Sequence, residues 1–147
     1  MPNVIKWEGA WVDRGNVLTT ELNSFLNNTF STVGTEIDNS INLDTFGILE
    51  INFTIPIAPT AKLTIGFFMI TAPDGINYSS IPESFDRYTK LIGYVNVDDV
   101  TSAQRLIIEP FRLEPAKAKF FIRNDTTQSF ASSGNIVKLY TNNFEVQ

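Results

Sequence analysis

The stretch KAKFFIRNDTTQSFASSGNIVKLY, residues 117–140, carries the clearest structural pattern in the chain. A run rich in β-forming residues stands at each end, and the segment 124–134 between them consists mainly of small polar residues. Asn124 and Gly134 bound this segment, and both residue types tolerate backbone angles that others avoid. Phe130 interrupts the polar run, which predicts that the loop is anchored to the body of the protein. The stretch therefore predicts a β-hairpin with a long, anchored loop.

The composition is that of one globular domain. A chain of 147 residues with 43% hydrophobic residues is long and apolar enough to bury a core. Only 18% of the residues are charged, which suits a surface partly covered by partners. The net charge of −5 argues against nucleic-acid binding, since contact with phosphates needs clustered Lys and Arg.

The absence of Cys and His excludes several kinds of reactive site and cross-link. The chain has no Cys and no His, which excludes disulfides, thiolate nucleophiles and Ser-His-Asp triads and disfavours zinc sites. No basic segment followed by an apolar run opens the chain, and no apolar run is long enough to span a bilayer. We therefore expect synthesis in a cytoplasm, with no membrane partner.

Further β-patterns precede the opening stretch. Alternation of apolar and polar residues predicts a strand over 49–55 and another over 63–70. Phe68 and Ile70 make both faces of the second strand apolar, which predicts that its outer face is covered. Further strands are predicted at 36–41, 91–97 and 105–111. Seven or eight strands with short turns and no α/β alternation predict an all-β fold, a β-sandwich with jelly-roll topology.

The N-terminal part shows a different pattern. Residues 1–17 look irregular and are predicted to form an extended arm, so that the single β-sandwich domain covers 18–147. One short helix of about two turns is predicted immediately after the arm, because apolar residues recur there at helical spacing. These residues are Leu18, Leu22, Phe25 and Leu26.

Surface aromatics are the candidate binding residues. They lie in the N-terminal arm and in the polar segment 76–90, where each ring either packs on the domain or contacts a partner. The carboxylates stand mainly in turns, and no calcium-loop motif occurs, so no catalytic residue, metal site or cofactor is predicted. The five candidates are Trp7, Trp11, Tyr78, Phe85 and Tyr88.

Two segments carry a family resemblance. APTAKLTIGFFMITAPDGINY (58–78) and PAKAKFFIRNDTTQSFASSGNIVKLY (115–140) resemble a family of small structural proteins from the particles of tailed bacteriophages. In that family a strand is entered at APTA and ends in PDGxNY. A later segment begins P…KF, continues I-x-N-x-T and then F, and closes with SGN, one variable residue, V or L, and KLY. Both motifs occur here in the same order. They consist of turns and strand patterns, so the resemblance implies a fold and a setting more than a mechanism.

The resemblance implies a β-sandwich subunit of a virion, made in the bacterial host. We expect a head decoration or cement protein that binds the major capsid protein or other virion proteins, as a homo-oligomer. The alternatives are a tail, neck or head-fibre component, or a module that binds a glycan or receptor at the particle surface. Jelly rolls commonly bind glycans, and Trp7, Trp11, Tyr78 and Tyr88 are candidate platforms for sugar rings.

Overall fold

Strands with alternating side chains build almost the whole molecule. The computed structural model describes residues 5–7, 9–61, 63–78 and 90–146. The strands are β1 (Ile5–Trp7), β2 (Val12–Leu18), β3 (Thr29–Phe30), β4 (Ile37–Asp38), β5 (Phe46–Phe53), β6 (Thr64–Ala72), β7 (Lys90–Asn96), β8 (Gln104–Ile107), β9 (Phe111–Arg112), β10 (Lys117–Asp125), β11 (Ile136–Asn142) and β12 (Phe144–Val146). One short helix, α1 (Asn39–Asn42), and a single 3-10 turn (Thr20–Leu22) accompany them in the described chain.

The strands form two antiparallel sheets, with β1 and β12 paired separately. The first sheet has the order β2-β11-β5-β8, and β9 continues the β8 edge beside β5. The second sheet has the order β3-β10-β6-β7, and β4 continues the β3 edge beside β10. The two sheets contain eight strands if β3/β4 and β8/β9 are each counted as one interrupted strand and the separate β1–β12 pair is left out. When these eight are renumbered along the chain, the sheet orders are 1-8-3-6 and 2-7-4-5. This is the jelly-roll order, so the predicted all-β sandwich is confirmed.

The core lies between the two sheets and is formed by alternate residues of the strands. In β10, Ala118, Phe120 and Ile122 point into it, and each is at most 3% exposed. The facing strand β5 contributes Leu49 and Ile51, which are fully buried. The period-two pattern therefore assigns the inner face directly from the sequence.

A second apolar cluster covers the outer face of the second sheet. Phe68 and Ile70 from β6 meet Phe121 from β10, and all three are at most 3% exposed. Phe68 and Phe121 stack with ring centroids 5.2 Å apart. Phe30 and Val33, from the segment that runs along β10 at the edge of this sheet, pack on them. The predicted covering of the outer face of this strand is confirmed.

The predicted hairpin at residues 117–140 is wrong, although both of its strands and its anchored loop exist. β10 pairs with strands of the second sheet, and β11 pairs with strands of the first. The intervening loop therefore passes from one sheet to the other. Phe130 anchors it in the core, stacked 5.0 Å from Phe53 and edge-on to Phe25 at 5.5 Å. Strand partners so distant in sequence cannot be read from local turn signals.

The predicted N-terminal helix is also wrong. Leu18 ends β2, opposite Val137, and only the 3-10 turn follows it. Ser24 and Asn28 have φ angles of 53° and 55°, which interrupt any helix. Leu26, counted in the apolar stripe, is 60% exposed. In the described residues the α-helix lies instead at α1, which overlaps the segment 36–41 for which a strand was predicted.

The prediction of an irregular, extended segment over residues 1–17 is wrong for residues 12–17. Residues 12–17 belong to β2, which pairs with β11 and buries Val17 and Leu18 in the core. Before β2, the described chain contains β1, which pairs with β12 and belongs to neither main sheet. Within the described residues, no helix is both long and apolar enough to cross a membrane.

Candidate functional site

The predicted site residues do not form one cluster. Trp7 contributes its backbone to β1, Trp11 stands just before β2, and Tyr78 follows the turn after β6. Phe85 and Tyr88 lie outside the described residues. Trp11 contacts the outer face of the first sheet, whereas Tyr78 packs on the outer face of the second. The two described rings are therefore on opposite faces of the sandwich.

The side chain of Tyr78 is held by contacts within the domain. Its hydroxyl donates to Glu36 Oε2 at 2.6 Å, and Lys119 Nζ stands 4.4 Å from the centre of its ring. Lys117 Nζ lies 3.1 Å from Glu36 Oε1, so the carboxylate has two partners. Burial raises the pKa of Tyr78 and the bond to Glu36 adds to the effect, while that same bond lowers the pKa of Glu36. These contacts favour a packing role for Tyr78.

Trp11 borders a hollow on the outer face of the first sheet. This Trp11 hollow has a volume of about 250 Å³. It is lined by Trp11, Ile48, Glu50, Arg105, Ile107 and Tyr140.

Strand register brings these residues together. Ile48 and Glu50 are successive outward residues of β5, since Leu49 between them points into the core. Tyr140 of β11 stands opposite Ile48 on one side, and Ile107 of β8 stands opposite Glu50 on the other. The hollow therefore spans three adjacent strands, and Trp11 closes it from the start of β2.

A buried carboxylate sits in the hollow. Glu50 is 5% exposed, and its Oε2 accepts from Arg105 Nη2 at 2.5 Å. Asn52 Nδ2 donates to Glu50 Oε1 at 2.8 Å. The bond from Arg105 is the main cause that lowers the pKa of Glu50, so the carboxylate is ionised at neutral pH. The Arg105 side chain is 63% exposed, which leaves its guanidinium accessible to a ligand.

This chemistry suits binding. A general base or nucleophile needs a free reactive group, whereas the carboxylate here is held by an Arg and an Asn. Among the residues that the structure describes, no three His, Cys, Asp or Glu side chains are grouped to hold a metal ion. What the hollow offers is two aromatic rings beside oriented hydrogen-bonding groups.

A second opening lies where the edges of the two sheets meet. It has a volume of about 490 Å³ and lies between β7 and the β8–β9 segment. β7 and β8 each have a neighbouring strand on one side only in the described sheets. Leu91, Tyr94 and Ile107 are 44%, 48% and 51% exposed. We call this region, from β7 across to β8, the open edge.

Sequence reasoning found Trp11 but missed Glu50, Arg105 and Tyr140. The alternation in β5 does place Glu50 on the wet face of its strand, which is the one local signal available. The pairing of β5 with β8 and β11 places Ile107 opposite Glu50 and Tyr140 opposite Ile48, partners that are 57 and 92 positions apart in the chain, and no local pattern predicts it. No protein-family model matches the chain, and no curated protein resembles it at a significant level.

Proposed function

We propose that this protein is a structural component of a tailed-bacteriophage particle, namely a head decoration protein that binds the outer capsid lattice. The observation that carries the proposal is where the two phage-like segments fall. They supply β6, β10 and β11, which are inner strands of the two sheets, together with the loop between β10 and β11.

The polar residues of these segments have structural tasks. Asn124 and Thr126 are fully buried, and Asn124 Oδ1 accepts from the Thr126 backbone at 3.0 Å and from its hydroxyl at 2.6 Å. Asn135 is 2% exposed and bonds to three backbone groups. A family whose shared residues maintain a rigid scaffold fits a building block of a particle better than it fits an enzyme.

The open edge supplies a surface for the capsid partner. Edge strands present unpaired backbone groups, and an extended segment of a partner can add to them as a further strand. Tyr94 and Ile107, each about half exposed, line the opening on its two sides. An extended segment of the major capsid protein is the proposed occupant. A protein that binds only the assembled shell stabilises that shell by mass action, and assembly into a homo-oligomer would multiply the contacts.

Copy number tests the setting. We expect mass-spectrometric quantification of purified particles to give a copy number that scales with the major capsid protein. A few copies per particle would replace the decoration role with a tail, neck or head-fibre role. Absence from the particles would overturn the virion proposal.

Capsid binding tests the surface. Tyr94→Arg should weaken cosedimentation with capsids that lack this protein by about tenfold or more, because the substitution places a long charged side chain in the contact. Leu26→Arg is the matched control, since Leu26 is 60% exposed and does not line the open edge. Equal binding by both variants would remove the open edge as the contact.

The predicted arm needs a separate variant. A deletion of residues 1–17 would remove β2 and core residues, so the cut must end before Val12. Removal of residues 1–9 leaves both main sheets intact. Full capsid binding by that truncated protein would exclude residues 1–9, and with them Trp7, as the anchor.

A further inference from the structure

We propose that the Trp11 hollow is a binding site for a neutral saccharide. The proposal does not depend on the capsid role, because the hollow is on the outer face of the first sheet and only Ile107 also lines the open edge. It identifies a ligand class and a set of residues that no local sequence pattern brings together.

The walls of the hollow match the apolar face of a sugar ring. Trp11 and Tyr140 are half-buried, so each ring is held by the protein and still presents surface to a ligand. A pyranose has one face of C–H groups with little polarity, and the negative face of an aromatic ring attracts such groups. Ile48 and Ile107 extend the apolar lining between and beside the rings.

The polar groups match the hydroxyl edge. Glu50 is an acceptor fixed by Arg105 and Asn52, and the accessible guanidinium of Arg105 is a donor. A vicinal pair of hydroxyls can donate to one group and accept from the other. Because strand pairing and the ion pair already hold these groups in place, binding costs little side-chain ordering.

Charge balance favours a neutral ligand. Glu50 pairs with Arg105 inside the hollow, and on the same face Lys138 Nζ lies 3.4 Å from Asp13 Oδ2. Lys138 stands opposite Glu50 on the neighbouring strand, so positive and negative groups alternate across the surface. An anion such as a phosphate would meet no excess of positive charge.

The size of the site limits the ligand. A volume of about 250 Å³ lies just below the range of roughly 300–1,000 Å³ that is usual for pockets of drug-sized ligands. The hollow therefore holds one sugar residue, either at a chain end or as a branch. A single residue bound at a shallow site should have an affinity on the order of millimolar.

The test is a titration of the full chain with methyl glycosides, during which the signals of the indole N–H groups are monitored by NMR. The probes are the methyl glycosides of glucose, galactose, mannose, N-acetylglucosamine and fucose, with methyl glucuronide as the charged comparison. We expect a saturable shift of the Trp11 indole with at least one neutral glycoside, and weaker or no binding of the glucuronide. No saturable shift with any neutral glycoside would overturn the proposal, and so would preferred binding of the glucuronide.

Substitutions assign the contacts. Trp11→Ala and Tyr140→Ala should each weaken binding by about tenfold or more, whereas Tyr140→Phe should bind nearly as the natural protein does because it keeps the ring. Tyr94→Ala is the matched control, since Tyr94 is an exposed aromatic that does not line the hollow. Binding in the Ala variants is followed by calorimetry after far-UV circular dichroism has confirmed the fold. Undiminished binding by Trp11→Ala and Tyr140→Ala would refute the assignment.

Discussion

The side chain of Asn135 ties three parts of the fold together, and its replacement tests the account of the β10–β11 loop. Asn135 Nδ2 donates to Ala131 O at 2.7 Å and to Leu22 O at 3.2 Å. Its Oδ1 accepts from the backbone N–H of Thr54 at 3.1 Å. The residue is 2% exposed, so water cannot replace these partners without local opening.

Asn135→Ala should lower the free energy of unfolding by about 4–6 kcal/mol. Each lost hydrogen bond accounts for roughly 1 kcal/mol, and a buried group without a partner costs roughly 1–3 kcal/mol more. The N–H of Thr54 is that group, because Ala131 O still accepts from Ser24 N at 2.9 Å and Leu22 O still accepts from Phe25 N. In a domain of this size, the loss lowers the Tm by roughly 10–20 °C.

Asn135→Asp separates hydrogen bonding from shape. The new carboxylate keeps the acceptor for Thr54 N–H, but its second oxygen faces the carbonyls of Ala131 and Leu22 without a proton. Burial and this repulsion raise the pKa of the introduced group in the folded state above its unfolded value of about 3.9. The protonated form can still donate to a carbonyl. Stability is therefore retained below about pH 3.9 and is lost as the pH rises towards the raised pKa.

The assay is urea unfolding of both variants and the natural protein at about pH 3.5 and about pH 7.5, followed by circular dichroism. We expect Asn135→Asp to be less stable than Asn135→Ala at the higher pH and more stable at the lower one. Asn96→Asp is the control for a change of charge at an exposed position. If Asn135→Asp matched the natural protein at both pH values, the hydrogen-bond assignment at Asn135 would be refuted.

Two further substitutions test other contacts. Gly34→Ala should destabilise the protein by about 4 kcal/mol or more, because its Cβ would lie 1.7 Å from Val17 O, whereas Gly9→Ala, with open space around it, should be nearly neutral in thermal melts. Tyr78→Phe should remove a tyrosine that ionises above the ordinary range in a spectroscopic pH titration, because burial and Glu36 raise the pKa of Tyr78. A natural protein in which no tyrosine ionises above the ordinary range near pH 10 would contradict the buried hydrogen bond from Tyr78 to Glu36.

Local patterns in the sequence were enough to predict most strands and their faces. Alternation assigned β5 and β6, and the run of apolar residues at Phe68 and Ile70 predicted the covered outer face of the second sheet. Turn chemistry was equally direct after β6. The N–H of Gly75 donates to Ala72 O at 2.9 Å, and the carboxylate of Asp74 accepts from two backbone N–H groups, which lowers its pKa to about 2. Each of these features depends on residues close together in the chain.

The helical spacing of apolar residues after β2 led to a wrong prediction, because contacts with distant parts of the chain determine the structure there. Leu18, Leu22 and Phe25 are buried as the stripe implied, but as parts of a strand, a 3-10 turn and a loop. Asn23 leaves the 3-10 turn with an extended backbone, and Ser24 follows with a positive φ. The N–H of Ser24 bonds to Ala131 O from the distant β10–β11 loop. Helix propensity is a weak prior, and hydrogen bonds to a distant segment override it over so short a stretch.

The opening stretch, residues 117–140, illustrates the division between sequence and tertiary structure. Its residues by themselves determined two strands and a loop anchored by Phe130. Only the tertiary structure decided that these strands lie in opposite sheets, since strand partners are chosen by core packing between segments far apart in sequence. The same long-range pairing places Tyr140 beside Ile48 and the ion pair of Glu50 with Arg105, and so forms the Trp11 hollow. Side-chain periodicity is local, whereas a binding site on a sheet requires neighbours that only the completed fold supplies.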